Sequence, residues 1–173
     1  MDLKKTLAKN KTILILIPSL EYNDQIVDFM KQLTGKSICY VTLNKTYDSL
    51  KEVFNNADVN MDKVVFIDAI SKTIKSVPDQ TRGCYYISSP GALTELSLVI
   101  SKFLRHDFNY IIFDSLTNLT IYEKKAPVAK FLSILTNKIR EKETKALFYA
   151  LDMDQHQEMI QECSMFVDKV VKQ

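Results

Sequence analysis

The sequence predicts an α/β fold: a three-layer sandwich with a mostly parallel central sheet and helices on both faces. Three observations predict it. Short β-branched or aromatic runs alternate along the chain with longer segments of helical period. Most of the short runs are apolar throughout instead of alternating with polar residues, the pattern of strands covered on both faces. Polar side chains gather just after the ends of these runs, where open α/β sheets carry their sites.

The strand candidates are Thr12–Ile17, Ser37–Leu43, Val64–Ile67, Cys84–Ile87, Tyr110–Phe113, Ala146–Leu151 and Phe166–Val171. Between them, Leu93, Leu96, Ile100, Phe103 and Leu104 recur every three or four residues and form one apolar stripe, predicting a helix that starts at Ser89-Pro90 with a serine cap. Pro127 opens a second helix with Val128, Phe131, Leu132, Leu135 and Ile139 at the same spacing. Weaker periods predict helices over Asn23–Leu33, Thr46–Asn55 and Asp154–Glu162. Strand–helix–strand alternation of this kind builds a parallel sheet through crossovers.

A chain of 173 residues suffices for one core without disulfides or metal. Lys4, Lys5, Lys9 and Lys11 make residues 1–11 read as a flexible basic terminus ahead of a single domain over 12–173. With 23 basic and 21 acidic residues the net charge is +2, which gives no field for a nucleic-acid partner. Cys39, Cys84 and Cys163 have no paired spacing and read as reduced thiols, so a cytoplasmic location is expected. The first residues are too polar for a signal-peptide core. The run Thr12–Pro18 is also far short of the ~20 residues of a membrane span. His106 and His156 stand apart, and Asp152, Asp154 and His156 lack metal-ligand spacing, so no metal site is expected there.

The polar residues at strand ends are Ser19 and Glu21 after the first strand, Asn44 and Lys45 after the second, and Asp68 after the third. Ser88 and Ser89 follow the fourth, Asp114 and Ser115 the fifth, and Asp152 the sixth. Tyr110-Ile-Ile-Phe-Asp114-Ser115 resembles a Walker B element, whose aspartate holds magnesium. The simpler reading makes Asp114 a structural acceptor, with Ser88 or Ser89 as expected donors.

Order and spacing extend the likeness over Thr12 to Val171. Ser89-Pro-Gly-Ala-Leu-Thr-Glu-Leu, the helix after it, Tyr110-Ile-Ile-Phe-Asp114-Ser-Leu-Thr-Asn-Leu, Cys39-Tyr-Val-Thr-Leu-Asn-Lys-Thr-Tyr-Asp-Ser-Leu and Met165-Phe-Val-Asp168-Lys-Val-Val together resemble the archaeal KaiC-like group of the RecA superfamily. The resemblance implies a RecA-like sheet, and an ATP site built on a glycine-rich loop after the first strand. Here that segment is Pro18-Ser-Leu-Glu-Tyr-Asn-Asp-Gln25, with no glycine and no lysine, and with Glu21 and Asp24 instead. Gly35-Lys36-Ser37 spells the end of a phosphate loop but precedes a strand instead of following one, so it reads as a helix C-cap. The resemblance places adjacent catalytic glutamates where this chain has Asn44 and Lys45.

The expectation is therefore a non-catalytic RecA/KaiC-like regulatory or protein-interaction domain, a pseudo-ATPase without cofactor. Its partner would be a second copy, a KaiC-like ATPase or a signalling protein, in a homo- or hetero-oligomer. The alternative is a weak nucleotide-binding signalling ATPase whose degenerate site is Ser19, Glu21, Asn44, Asp114 and Ser115, with Asp114 anchoring magnesium. A third reading, a recombination-mediator-like DNA-binding module, meets no basic, aromatic-interleaved loop. The expected interfaces are the loop Lys72–Arg82, carrying Lys72, Lys75 and Arg82, and the stretch Leu119–Pro127, carrying Ile121 and Tyr122 beside charge.

Overall fold

In the computed structural model, which describes all of residues 1–173, eight strands share one sheet. They are β1 (Thr12–Ile17), β2 (Ile38–Thr42), β3 (Val64–Asp68), β4 (Gln80–Thr81), β5 (Cys84–Tyr86), β6 (Tyr110–Asp114), β7 (Lys145–Leu151) and β8 (Lys169–Lys172). Their spatial order is β4-β5-β3-β2-β6-β7-β1-β8. Every neighbouring pair is parallel except β4 with β5, a short antiparallel hairpin turned at Gly83, whose φ of +88° suits glycine. The strand Tyr110–Phe113 lies mid-sheet, between β2 and β7, as its unbroken apolar run requires.

Successive strand residues feed opposite cores. Leu14 and Leu16 of β1 join one apolar cluster; Ile13, Ile15 and Ile17 join the other. The first cluster is closed by α5 (Leu93–Phe103), α6 (Leu116–Tyr122), α7 (Lys125–Arg140) and α8 (Gln157–Ser164). The second is closed by α1 (Leu3–Lys9), α2 (Tyr22–Gln32) and α3 (Tyr47–Asn56). A short α4 (Ser71–Ile74) follows β3. The result is the three-layer sandwich expected from the alternating pattern.

Two expectations are corrected at the ends of the chain. Residues 3–9 are helical, not a flexible basic tail. Asp2 caps α1 by accepting from Lys5 N at 2.9 Å, and Leu3 and Leu7, one turn apart, are buried against α2. The lysines occupy the other face. Near the other end, β8 begins at Lys169 and not Phe166, because the Asp168 carboxylate is turned back to accept from Lys11 N and Thr12 N, each at 2.9 Å.

A third correction concerns α5. Ser89-Pro90 does not cap it: the Ser89 carbonyl closes a turn on Ala92 N, and the helix starts at Leu93 without a side-chain cap. Gly91 in that turn faces α6 so closely that an added Cβ would sit 3.0 Å from Tyr122 Cβ. Pro127, expected to open its helix, is the third residue of α7.

Candidate functional site

The carboxyl ends of β1, β7, β6 and β2 lie side by side, which brings Asp114, the last residue of β6, into the middle of that edge. Ile112 of β6 joins the cluster under α2 and α3, so Asp114, two residues on, points to the same face. There it is fully buried.

Three donors from three elements converge on its carboxylate. Tyr22, the first residue of α2, donates its hydroxyl to Oδ1. Asn44, just after β2, donates Nδ2 to the same oxygen at 3.0 Å. Tyr40, within β2, donates its hydroxyl to Oδ2 at 2.5 Å. Both phenols are buried, Tyr22 at 6% exposure and Tyr40 at none. Tyr149 of β7 lies close enough for the Asp114 charge to act on its buried hydroxyl, which itself has no hydrogen-bond partner in the chain.

Burial dominates the electrostatics. It raises the Asp114 carboxyl above the ordinary aspartate range, while hydrogen bonds from Tyr22 and Tyr40, the Lys45 charge and the Asn44 bond pull the other way. Tyr22, Tyr40 and Tyr149 are all pushed well above the usual phenol range, first by burial and then by the Asp114 charge. The three tyrosines are therefore neutral at physiological pH, and Tyr22 and Tyr40 serve Asp114 as neutral donors. The cysteines are no nucleophiles either: burial pushes the Cys84 and Cys163 thiols up to about 12 and that of Cys39 higher still.

The donors expected for Asp114, Ser88 and Ser89, are not its partners. They follow β5, which is separated from β6 by β3 and β2, and Ser88 N instead donates to Glu95 at 3.1 Å. Of the residues grouped as a degenerate nucleotide site, Asn44 and Asp114 meet. Ser115 bonds its neighbour Thr117 at 2.8 Å. Ser19 and Glu21 do not join them: both are exposed on the single 3₁₀ turn, Ser19–Glu21, that links β1 to α2. Lys45 closes a tight turn, its backbone N–H donating to Thr42 Oγ1 at 3.2 Å and its carbonyl accepting from the same hydroxyl at 2.6 Å. Asp68 is likewise structural, gathering the N–H groups of Tyr47, Ile70 and Ser71 and the Ser71 hydroxyl.

The expected interface residues divide. Lys72 pairs with Asp79 at 2.6 Å and Lys75 with Asp48 at 2.9 Å, so only Arg82 of that basic set is without an ion pair. Ile121 is 74% exposed and Tyr122 46%. They line an open groove of about 960 Å³ between the α6–α7 junction and the start of α8, with His156, Glu158 and Glu162 opposite. Space-filling in the core is thus not the role of Ile121.

A family model described as a family of unknown function, DUF7090, matches residues 2–173. The chain belongs to that family. No curated protein matches the sequence. Among solved structures, a KaiC-like protein from the hyperthermophilic archaeon Pyrococcus horikoshii OT3 superposes with a TM-score of 0.66 at 10% identity, over 94% of this chain and 70% of that one. An ATPase from the type III secretion system of pathogenic bacteria superposes with a TM-score of 0.55 at 11% identity, over 94% of this chain and 50% of the other. At such identities the likeness is one of fold: this DUF7090 chain has a RecA-like α/β fold. No helix in it is long and apolar enough to cross a membrane.

Proposed function

We propose that this chain is a non-catalytic RecA/KaiC-like domain, a cytoplasmic pseudo-ATPase that acts by docking onto protein partners. The observation that carries the reading is Tyr22. The segment between β1 and α2 is only Pro18–Glu21, and the helix opens with a tyrosine whose hydroxyl is bound to Asp114. A phosphate loop needs glycines for close backbone approach and a lysine for the β and γ oxygens. This turn has neither, and it carries Glu21 in their place.

Asp114 is a poor fit for magnesium. Both oxygens already accept neutral donors, and the group is sealed from solvent. A hard cation coordinated there would have to displace Tyr22 or Asn44 and keep most of its own water shell, for which a sealed site has no room. Asn44 and Lys45 supply no general base beside it. What such a chain can offer is surface, and the groove flanked by Ile121 and Tyr122 has the apolar centre and charged rim of a docking site.

Calorimetry with Mg·ATP, paired with a phosphate-release assay, tests the reading. The expected result is no saturable heat below millimolar nucleotide and no release above the protein-free rate. Micromolar affinity, or turnover abolished by Asp114→Ala, would replace it with the weak-ATPase reading.

A further inference from the structure

We propose that the groove between α5 and α7 takes an amphipathic helix from a different protein, one with an apolar stripe on one face and carboxylates along its flanks. This groove lies in the helical layer over the first core and shares no lining residue with the one at Ile121 and Tyr122.

Leu98 breaks the inward stripe of α5. Leu96 and Ile100, two residues to either side, are buried, and at about 100° per residue Leu98 stands nearly opposite both. It is 61% exposed, and Ile134 of α7, beside the buried Leu135, is 43% exposed. Together with Leu93, Pro127, Phe131 and Lys130 they line a groove of about 330 Å³. Single exposed apolar residues are ordinary on a protein surface; a contiguous set from two helices around one hollow marks a contact site.

The hollow has the length of a helix face. From Pro127 to Ile134 is about 10 Å along α7 at 1.5 Å per residue. A helix laid along it presents apolar anchors at i, i+3 or i+4, and i+7, which span the same distance. Lys138, one turn past Ile134, donates to Ser101 Oγ at 2.9 Å and ties the two helices together, so the walls are in place before a partner arrives.

Charge sets the sign of the partner. α7 holds Lys125, Lys130, Lys138 and Arg140 and no carboxylate in its 16 residues. Helix N-termini favour acids, so helix stability does not explain a first turn that opens on lysine and has none. Lys125 and Arg140 are paired with Glu158 and Asp168; Lys130 and Lys138 are in no ion pair, nor is Lys102 of α5. The one carboxylate of α5, Glu95, accepts from Ser88 N at 3.1 Å. Carboxylates flanking an apolar stripe would meet these free ammonium groups, whereas a basic helix would meet only like charge. A second copy of this chain has no such helix to lend. Its acid-bearing helices α2, α3 and α8 bury their apolar faces at Ile26 and Phe29, Leu50 and Phe54, and Met159 and Ile160.

The probe is a synthetic peptide of about 15 residues with leucines at that spacing and glutamates on both flanks, cross-linked because a free helix of this length is marginal in water. A companion peptide carries lysine for glutamate. Each is titrated into the ¹⁵N-labelled chain and followed by NMR. The acidic helix should bind saturably at submillimolar concentration and shift the amides of Thr94–Leu98 and Val128–Ile134, with the basic helix at least about tenfold weaker. Leu98→Gln combined with Ile134→Gln puts good helix formers at exposed positions, so the variant should melt close to wild type and lose at least about tenfold in affinity. Lys130→Glu, at an exposed position, should narrow or reverse the preference between the two peptides. No saturable binding of the acidic helix overturns the proposal, as does equal binding of both peptides, or affinity that the Leu98 and Ile134 changes leave intact. Binding lost only on replacing Ile121 and Tyr122 by serine also overturns it, by moving the helix to the other groove. So does binding of phosphatidylglycerol vesicles through Leu98 and Ile134 without binding of the peptide. The Mg·ATP measurement is separate: its failure would remove the pseudo-ATPase reading whether or not the helix binds.

Discussion

At the scale of single residues, the balance at Asp114 decides what the site is. A carboxylate removed from water loses several kcal/mol of solvation unless it is hydrogen-bonded or takes up a proton. Here burial is opposed by Tyr22, Tyr40 and Asn44, and burial prevails, since the carboxyl is raised overall. Its folded value therefore exceeds its unfolded one of about 3.9. Such a group stabilises the fold fully below the unfolded value, and that contribution is lost as pH rises through the folded value. Replacing Asp114 with Asn removes the titration and keeps most of the acceptor geometry. Urea unfolding of both proteins across pH 4–8 should show the wild type losing its advantage as pH rises, with a difference of at most about 1–2 kcal/mol at its largest. A difference that grows with pH would show that Asp114 is stabilised as an anion, by a cation or an ionic network.

The tyrosine donors give a second test at this scale. Tyr22→Phe leaves the buried ring in place and removes one donor from a buried carboxylate, so it should cost about 1–3 kcal/mol at neutral pH. The loss should shrink in acid, where a protonated Asp114 needs fewer donors. A pH-independent loss would place the cost in packing.

At the scale of elements, α1 carries the clearest packing prediction. Leu3 and Leu7 are buried to within 1%, and Leu3 N donates to Gln32 Oε1 at 2.8 Å, so the helix is fastened to α2 by apolar and polar contacts. Leu7→Ala should destabilise by about 2–5 kcal/mol, whereas Lys4→Ala, on the exposed face, should stay within about 0.5 kcal/mol. Equal and small effects would show that α1 is not part of the cooperative fold. Four lysines concealed this helix in the sequence, because the leucine pair spans only one turn and no longer period supports it.

The main strands were legible because each is a continuous apolar run that only a doubly covered sheet explains. β4 was not: two exposed residues carry no period, and their pairing follows from the Gly83 turn. The candidate site was legible in half. Asp114 stands out as an acid closing an apolar strand, and Asn44 as a polar residue after another. Tyr40 was missed because a tyrosine in an apolar run reads as core, and Tyr22 because it stands among Glu21, Asn23 and Asp24, in a polar segment judged only by its missing glycine and lysine. Only the sheet order, which puts β2 beside β6, shows which phenols reach the carboxylate.

At the scale of the whole molecule, the carboxyl edge of the sheet carries exposed apolar surface. The groove at Ile121 and Tyr122 and the exposed Leu20 lie along the edge where a RecA-like domain with a phosphate loop would hold nucleotide. Replacing Ile121 and Tyr122 together by serine should lower the melting temperature only slightly, because Ile121 is largely and Tyr122 nearly half in solvent, while lowering association with a bound partner. A marked fall in melting temperature would assign them to the fold and move the docking surface elsewhere.

The central claim is that Asp114 is a structural acceptor and not a metal ligand. Its carboxyl carbon can be observed directly by ¹³C NMR while Mn²⁺ and ATP are added, since a bound paramagnetic ion broadens the resonances of its own ligands first. The Asp114 carboxyl signal and the Tyr22 ring signals are expected to keep their width through millimolar Mn·ATP, apart from uniform bulk effects. Selective, saturable broadening at Asp114, relieved by excess Mg²⁺, would contradict it.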